Sequence, residues 1–263
     1  MSTSVTRAYD KAKAENRAAL VGYLPAGFPS VEGAVEAAKA MVDGGCDVIE
    51  IGLPYTDPLM DGPTIQDAVH QALVGGVRLP DVFHTVEAVA ATGVPTLIMT
   101  YWNPVDRYGV DAFARDLKSA GGAGLITPDL TPEEGEDWLA ASDAHDLDRI
   151  FLVAPSSTPE RLAATAAASR GFVYAASTMG VTGARDAVSD AAPELVARVK
   201  AVSDIPVGVG LGVRSREQAA QIGAYADGVI VGSALVSALS EGIPAVRALT
   251  EELADGVRQR ITA

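Results

Sequence analysis

Residues 47–66 read DVIEIGLPYTDPLMDGPTIQ and carry the clearest signals of the fold of this chain. The stretch opens as an apolar strand in which Val48, Glu50 and Gly52 share one face, because successive side chains of a strand alternate between its two faces. A loop rich in proline and aspartate follows, and Pro63 is suited to the first turn of a helix. The stretch therefore predicts a buried strand, a shaped loop and a helix, with one carboxylate near the strand's carboxyl end.

The same rhythm of a short apolar strand followed by a helix continues on both sides of this stretch. The other predicted strands are residues 18–24, 96–100, 123–127, 149–154, 172–176, 206–210 and 228–231. Eight strands that alternate with helices indicate an α/β protein with a parallel sheet, and 263 residues match a closed (β/α)8 TIM barrel. We expect one domain over residues 1–263 with an extra N-terminal helix. An open doubly wound sheet is the alternative.

Residues of capping type stand before several predicted helices. Ser30, Thr158 and Ser215 each occupy a position where an N-cap is needed, and the glycines at 44–45 are expected to end the helix that Ser30 begins. Residues 131–134, TPEE, have the form of a capping box with proline at the first helical position.

Composition limits the class of function. Apolar residues make up 48% of the chain, which is enough for a core. The net charge is −14, so the average surface would repel nucleic acids and anionic membranes. The single cysteine, Cys46, cannot form an internal disulfide and has no histidine near it in sequence. The N-terminus lacks the apolar core of a signal peptide, and no apolar run reaches the ~20 residues of a membrane span. We therefore expect a cytoplasmic protein.

Two carboxylates are candidates for proton chemistry. Glu50 lies near the carboxyl end of its strand, which is the end where (β/α)8 barrels place their active sites. Burial beside isoleucine and valine is expected to raise the pKa of Glu50, which suits a proton carrier near neutral pH. Backbone donors or a hydroxyl that satisfy Glu50 are the alternative. Asp61 would supply the second carboxylate, although an aspartate just before Gly-Pro is also an ordinary cap or turn residue.

Glycines in three later loops form the second candidate site. Residues 180–183 (GVTG), 210–212 (GLG) and 232–233 (GS) follow the sixth, seventh and eighth predicted strands. Glycines allow backbone N–H groups to close around an anion, and a helix N-terminus adds its dipole. Barrels often bind phosphate at this place. These loops predict a phosphate site, with ordinary turn glycines as the alternative.

The three histidines give no metal site. His70, His84 and His145 all fall in predicted helices or their flanks rather than at strand ends. We expect neither a histidine-based metal site nor a histidine-centred triad.

Several of these segments together resemble the tryptophan synthase alpha chain family. The shared motifs are VGYLPAGFP at 21–29, the opening stretch, MTYWNP at 99–104, PDLTPEE at 128–134, Tyr174, GVTG at 180–183, GLG at 210–212 and GS at 232–233. The resemblance implies a (β/α)8 lyase that cleaves indole-3-glycerol phosphate to indole and glyceraldehyde 3-phosphate, a retro-aldol reaction of tryptophan biosynthesis.

The resemblance also implies roles for individual residues. Glu50 would move protons at the indole C3 and at the hydroxyl beside the breaking bond, and Asp61 would act at the indole N–H. Thr182 would hydrogen-bond Asp61. The remaining positions implied by the family are Tyr23, Met99, Ile126 and Tyr174 around the substrate, and Gly183, Gly212, Gly232 and Ser233 at its phosphate.

A partner is implied in the same way. The family pairs with a beta chain in an α2β2 complex, and pyridoxal phosphate belongs to that beta chain, so no cofactor is expected in this chain. The loop of Asp57 and Pro58 and the loop of Tyr101 and Asn103 are predicted to form one exposed apolar patch that meets the partner. A free-standing lyase, or a catalytically silent barrel that serves as a regulatory subunit, are the alternatives.

Overall fold

The computed structural model describes residues 3–176, 191–210 and 212–259. The strands are β1 (Ala19–Pro25), β2 (Val48–Gly52), β3 (Thr96–Met99), β4 (Gly124–Ile126), β5 (Asp148–Ile150), β6 (Leu152–Val153), β7 (Val173–Ala176), β8 (Val207–Gly210) and β9 (Gly228–Val231). The helices are α1 (Ser4–Ala14), α2 (Val31–Gly44), α3 (Pro63–Val74), α4 (Leu79–Ala90), α5 (Trp102–Tyr108), α6 (Val110–Ser119), α7 (Glu136–Ala144), α8 (Pro159–Ala168), α9 (Ala191–Lys200), α10 (Arg216–Gly223), α11 (Ser233–Glu241) and α12 (Ile243–Arg258).

All the strand pairs are parallel, in the order β5-β4-β3-β2-β1-β9-β8-β7-β6. The predicted fifth strand, residues 149–154, is divided at Phe151 into β5, which pairs with β4, and β6, which pairs with β7. The carbonyl of Ile150 accepts from Thr127 N at 3.4 Å, and that of Phe151 accepts from Tyr174 N at 3.1 Å. Residues 148–153 therefore join the two ends of the sheet. The predicted (β/α)8 barrel is confirmed, with its fifth strand in two pieces.

The predicted N-terminal helix is confirmed and fills one end of the barrel. Tyr9 of α1 is buried, and its hydroxyl lies beside two inward-facing glycines of the wall. A Cβ added to Gly208 would lie 2.9 Å from Tyr9 Oη, and a Cβ on Gly228 would lie 2.5 Å from it. Small residues on β8 and β9 therefore make room for a ring that a separate helix supplies. The N-terminal face of the barrel is closed by this packing.

The predicted caps are confirmed at three helices and wrong at a fourth. The side chains of Ser30, Thr158 and Ser215 accept hydrogen bonds from the backbone N–H three residues later. Residues 131–134 do not start a helix: their backbone makes a tight turn with i to i+3 hydrogen bonds, and α7 begins after Gly135. The Thr131 hydroxyl donates to Glu134 Oε2 at 3.1 Å, so it is engaged with a side chain instead of capping a helical N–H.

A buried ion pair ties the starts of β1 and β2 together. Arg17 Nη1 donates to Asp47 Oδ2 at 2.6 Å and Arg17 Nη2 donates to Asp47 Oδ1 at 2.8 Å. Asp47 Oδ2 also accepts from Leu20 N at 2.9 Å. The pair holds the base of the strand that carries Glu50.

None of the helices in the described parts of the chain is long and apolar enough to cross a membrane.

Candidate active site

Glu50 occupies the third position of β2 and points into the barrel. Its side chain is 1% exposed, and Oε1 has no hydrogen-bond partner among the described residues. Burial raises the pKa of Glu50 from 4.5 to about 8. The alternative in which backbone donors or a hydroxyl satisfy this carboxyl is therefore wrong for Oε1. A glutamic acid that retains its proton near neutral pH is available at this place.

Asp61 lies in the loop between β2 and α3 and is held by an aromatic hydroxyl. Tyr101 Oη donates to Asp61 Oδ1 at 3.0 Å. Burial raises the pKa of Asp61, and the hydrogen bond from Tyr101 opposes that rise. The N-cap of α3 is Gly62 and no side chain caps this helix, so the alternative role of Asp61 as a helix cap is wrong.

Two tyrosines stand beside these carboxylates, each against a glycine of the barrel wall. Tyr23 of β1 is the register partner of Glu50, and a Cβ on Gly52 would lie 2.2 Å from Tyr23 Oη. In the same way, a Cβ on Gly210 would lie 2.2 Å from Tyr174 Oη. Both tyrosines interact electrostatically with Glu50, and burial raises the pKa of each phenol. The structure therefore places the side chains of Tyr23, Tyr174 and Glu50 together in the barrel interior.

Met99 and Ile126 end the next two strands of the same wall. They are register partners on β3 and β4, and both belong with the side chains that fill the barrel interior. A cavity of about 450 Å³ opens between the loops that follow β2 and β4 and the ends of β6 and β7, next to this wall; Glu50, Asp61, Met99 and Ile126 are not part of its lining. Its lining includes Leu59, Met60, Pro128, Leu130, Leu152 and Ala176. This volume is in the range of small-molecule sites, roughly 300–1,000 Å³.

The predicted phosphate residues are described in part. Gly212 has a left-handed backbone with φ of 65°, and it follows β8. Gly232 is the N-cap of α11, whose first residue is the buried Ser233. These positions follow neighbouring strands, because β8 pairs with β9. Thr182 and Gly183 lie outside the described residues.

The predicted partner loops contact each other, with one correction. Asn103 Nδ2 donates to Tyr55 Oη at 3.0 Å, and the rings of Tyr55 and Tyr101 lie 5.6 Å apart between centroids. Asp57 and Asn103 are exposed and Pro58 is half-buried. Tyr101 was expected on the exposed patch, but it is only 6% exposed because its hydroxyl turns inward to Asp61 and to Met60 N.

Sequence reasoning missed two interior groups. Tyr9 reaches the barrel interior from outside the sheet, and the electrostatic field of Glu50 contributes to the raised pKa of its phenol. Thr127, directly after β4, is buried with an unpartnered Oγ1. Only the inward-facing glycines of β8 and β9 signalled that a ring from elsewhere must fill the barrel. No signal in the sequence singled out Thr127.

Neither Cys46 nor the three histidines stand at the end of a strand at this mouth, although His70 of α3 lines a cavity with Tyr55, Thr56 and Pro58 of the loop after β2. Cys46 lies two residues before the first residue of β2, at the amino-terminal end of that strand. Burial raises the pKa of its thiol. His70 and His84 lie within α3 and α4, and His145 is the C-cap of α7. In the described ranges, no group of three or more histidine, cysteine, aspartate or glutamate residues is arranged to hold a metal ion.

Comparison with known proteins gives one consistent result. The sequence model of the family described as "Tryptophan synthase alpha chain" matches residues 9–260. A tryptophan synthase alpha chain of Mycobacterium marinum is 73% identical over 252 residues, which cover 96% of this chain and 94% of that protein. The Mycobacterium tuberculosis protein of the same name is 71% identical over 255 residues, 97% of this chain and 94% of that protein.

Solved structures agree with the sequence comparison. A chain of Mycobacterium tuberculosis tryptophan synthase superposes with a TM-score of 0.95 at 68% identity, covering 98% of this chain and 100% of that one. Tryptophan synthase subunit alpha from Legionella pneumophila superposes with a TM-score of 0.87 at 32% identity, covering 98% of this chain and 99% of that one. The chain therefore belongs to the tryptophan synthase alpha chain family, the lyases that cleave indole-3-glycerol phosphate in tryptophan biosynthesis.

Proposed function

We propose that Glu50 and Asp61 carry out the retro-aldol cleavage of indole-3-glycerol phosphate in this chain. The observation that carries the proposal is the state of Glu50, which is buried at the carboxyl end of β2 with an unpartnered oxygen and a pKa raised to about 8. A carboxylic acid with that pKa is protonated at neutral pH and can still release its proton. Such a pKa is well matched to general acid and base catalysis.

The proton transfers balance on one residue. Protonated Glu50 donates its proton to the indole C3, which makes the ring an indoleninium cation. The Glu50 carboxylate then takes the proton of the hydroxyl on the attached carbon. As that O–H is lost, the bond between C3 and this carbon breaks, its electrons restore the aromatic indole, and the aldehyde of glyceraldehyde 3-phosphate forms. Glu50 ends the cycle protonated, as it began.

Asp61 is proposed to stabilise the positive charge that develops on the indole nitrogen. The charge exists only after C3 is protonated, so a fixed carboxylate there favours the intermediate over the bound substrate. Burial makes this interaction stronger than it would be in water. The hydrogen bond from Tyr101 supports the role, because it favours the ionised form of Asp61.

The rest of the site is proposed to hold the two ends of the substrate. Tyr23, Met99 and Ile126 would surround the indole ring and Tyr174 would line the pocket beside Glu50, which agrees with their shared position around the barrel interior. Gly212, Gly232 and Ser233 would bind phosphate through backbone N–H groups and the N-terminus of α11. Thr182 and Gly183 join this proposal on the family resemblance alone.

The partner, cofactor and compartment belong to the same proposal. A tryptophan synthase beta chain would dock on the loops that contain Asp57, Pro58 and Asn103, in an α2β2 complex. Pyridoxal phosphate would be bound by that beta chain and not by this one. The single buried, unpaired Cys46 is consistent with the reducing cytoplasm.

The direct test is an assay of glyceraldehyde 3-phosphate release from indole-3-glycerol phosphate, with and without a beta chain. We expect slow cleavage by the chain alone and faster cleavage when the beta chain is added. Equal rates in both conditions would favour the free-standing lyase. Absence of cleavage in both conditions would favour the catalytically silent barrel and contradict the proposal.

A further inference from the structure

Tyr101 makes two hydrogen bonds with one hydroxyl group. The hydroxyl accepts from Met60 N at 2.9 Å and donates to Asp61 Oδ1 at 3.0 Å. Because Met60 N occupies an acceptor site of the phenol oxygen, the phenol proton is directed to the carboxylate. Among the described residues, Tyr101 is the one that donates a hydrogen bond to the Asp61 carboxylate.

The position of Tyr101 is fixed from several sides. The ring is buried, and the Tyr101 carbonyl accepts from Thr100 Oγ1 at 3.1 Å. The next residue, Trp102, donates its backbone N–H to Asp129 Oδ1 at 2.9 Å. The backbone on either side of Tyr101 is therefore anchored at the carboxyl end of β3. A side chain held in this way can define the position of a loop residue from a neighbouring strand.

We propose that Tyr101 is a positioning residue that holds the Asp61 carboxylate in its working place during cleavage. The inference rests on the proposed function, because it gives Asp61 the role described above. The sequence placed Tyr101 at the partner interface, and no role at Asp61 follows from that placement. A loop carboxylate without this tie would have to be ordered by the substrate itself, which costs binding energy.

The same bond sets the direction of a pH effect. The titratable groups that face Asp61 in the described parts of the chain are Tyr101, after β3, and Tyr23, on β1; Tyr23 in turn interacts with Glu50 and Tyr174. Burial raises the pKa of Asp61 and the Tyr101 hydrogen bond lowers it. Removal of the hydroxyl leaves burial unopposed. The pKa of Asp61 then rises, and the ionised form is lost at a higher pH.

The test uses Tyr101→Phe, which keeps the buried ring and removes only the hydroxyl. Tyr108→Phe is the matched control, since Tyr108 Oη donates to Asp116 Oδ2 at 2.6 Å on an exposed helix. We expect Tyr101→Phe to lower kcat/KM for indole-3-glycerol phosphate by roughly 10- to 100-fold, the usual range for a hydrogen bond to a charged group. The acid limb of its pH profile should move to higher pH, while Tyr108→Phe matches the wild type. Circular dichroism verifies the fold of each variant.

A double-mutant cycle separates positioning from a general loss of structure. If Tyr101 acts through Asp61, adding Tyr101→Phe to Asp61→Asn should cost less than about twofold. A full additional loss in that background, or a wild-type rate and pH profile for Tyr101→Phe alone, would overturn the inference. Failure of the proposed function would give a different result. In that case the wild-type chain would not cleave indole-3-glycerol phosphate, or the Asp61→Asn variant would cleave it at the wild-type rate.

Discussion

Glu50 of β2 stands opposite Tyr23 of β1 in the parallel register, so the buried carboxyl has an aromatic ring beside it and not a cation. Burial alone accounts for the pKa of Glu50 of about 8. The folded chain therefore binds a proton at Glu50 between pH 4.5 and about 8, a range in which the unfolded chain releases it. The site is arranged for chemistry at the expense of stability.

The first prediction concerns this effect on stability. Since the folded state binds the extra proton, the free energy of unfolding of the wild type should fall as pH rises from 4.5 to about 8. Glu50→Gln cannot titrate, so it should gain on the order of 5 kcal/mol relative to wild type across that range of about 3.5 pKa units, at ~1.4 kcal/mol per unit. Urea denaturation at several pH values measures the change. Glu36→Gln, on an exposed face of α2, is the control and should show no such gain.

The sequence predicted the barrel well because its signals are local. Bounds of six predicted strands differ from β1, β3, β4, β7, β8 and β9 by at most one residue at each end. Short apolar runs between caps and glycines depend mainly on neighbouring residues. Glu50 was identified for the same reason, since a carboxylate in an apolar strand is visible without knowing the fold.

The features that the sequence did not predict depend on contacts between distant segments. Tyr101 looked like part of an exposed patch, but its partner Asp61 is 40 residues away in the chain. The division of the fifth strand at Phe151 depends on which strands lie on each side. The failure of residues 131–134 to cap α7 is the exception, because its cause is local: a tight turn competes with the start of the helix.

The second prediction concerns the ion pair at the base of the barrel. Asp47→Ala removes two hydrogen bonds of the buried Arg17, which keeps those to Glu15 Oε2 and to the Ala18 carbonyl, and it leaves Leu20 N without its acceptor. The free energy of unfolding should therefore fall by about 2 kcal/mol. Asp43→Ala is the control, because the Asp43 side chain is 65% exposed and its Oδ2 lies as far as 3.9 Å from Arg247 Nη1, so this ion pair is weak. Its loss should be under about 1 kcal/mol. Equal losses for both variants would show that the buried pair contributes nothing special.

The third prediction concerns phosphate binding at Gly212. The backbone at this position is left-handed, with φ of 65°. Asparagine and aspartate both tolerate such a backbone and differ in charge, so the two substitutions are compared there. Gly212→Asp should raise KM for indole-3-glycerol phosphate at least tenfold (~1.4 kcal/mol) above Gly212→Asn, because it places a carboxylate against the anion. Inhibition by inorganic phosphate should weaken in parallel. Identical constants for the two variants would rule out an anion site here.

The fourth prediction concerns the partner. Asp57→Ala and Pro58→Ala should raise the beta-chain concentration needed for half-activation roughly tenfold, since both residues lie on the loop proposed to dock. Basal lysis should change by less than about twofold, because Glu50 and Asp61 remain in place. Glu87→Ala on the exposed face of α4 is the control. Titration of each variant with beta chain measures both quantities. Activation curves that match the wild type would show that these two residues are not part of the docking surface, and no activation of any chain would favour a free-standing lyase.

The fifth prediction concerns the role of Glu50 as the residue that carries the protons. Glu50→Gln keeps the size of the side chain but cannot donate or accept the proton, so kcat should fall by about 10² to 10⁴ while substrate binding is retained. Glu36→Gln should leave kcat unchanged.

The decisive measurement is single-turnover cleavage of indole-3-glycerol phosphate by the Glu50→Gln chain, monitored as release of glyceraldehyde 3-phosphate. The affinity of the variant for the substrate is measured directly in parallel. We expect bound substrate and almost no product. Cleavage at the wild-type rate by the folded variant would contradict it.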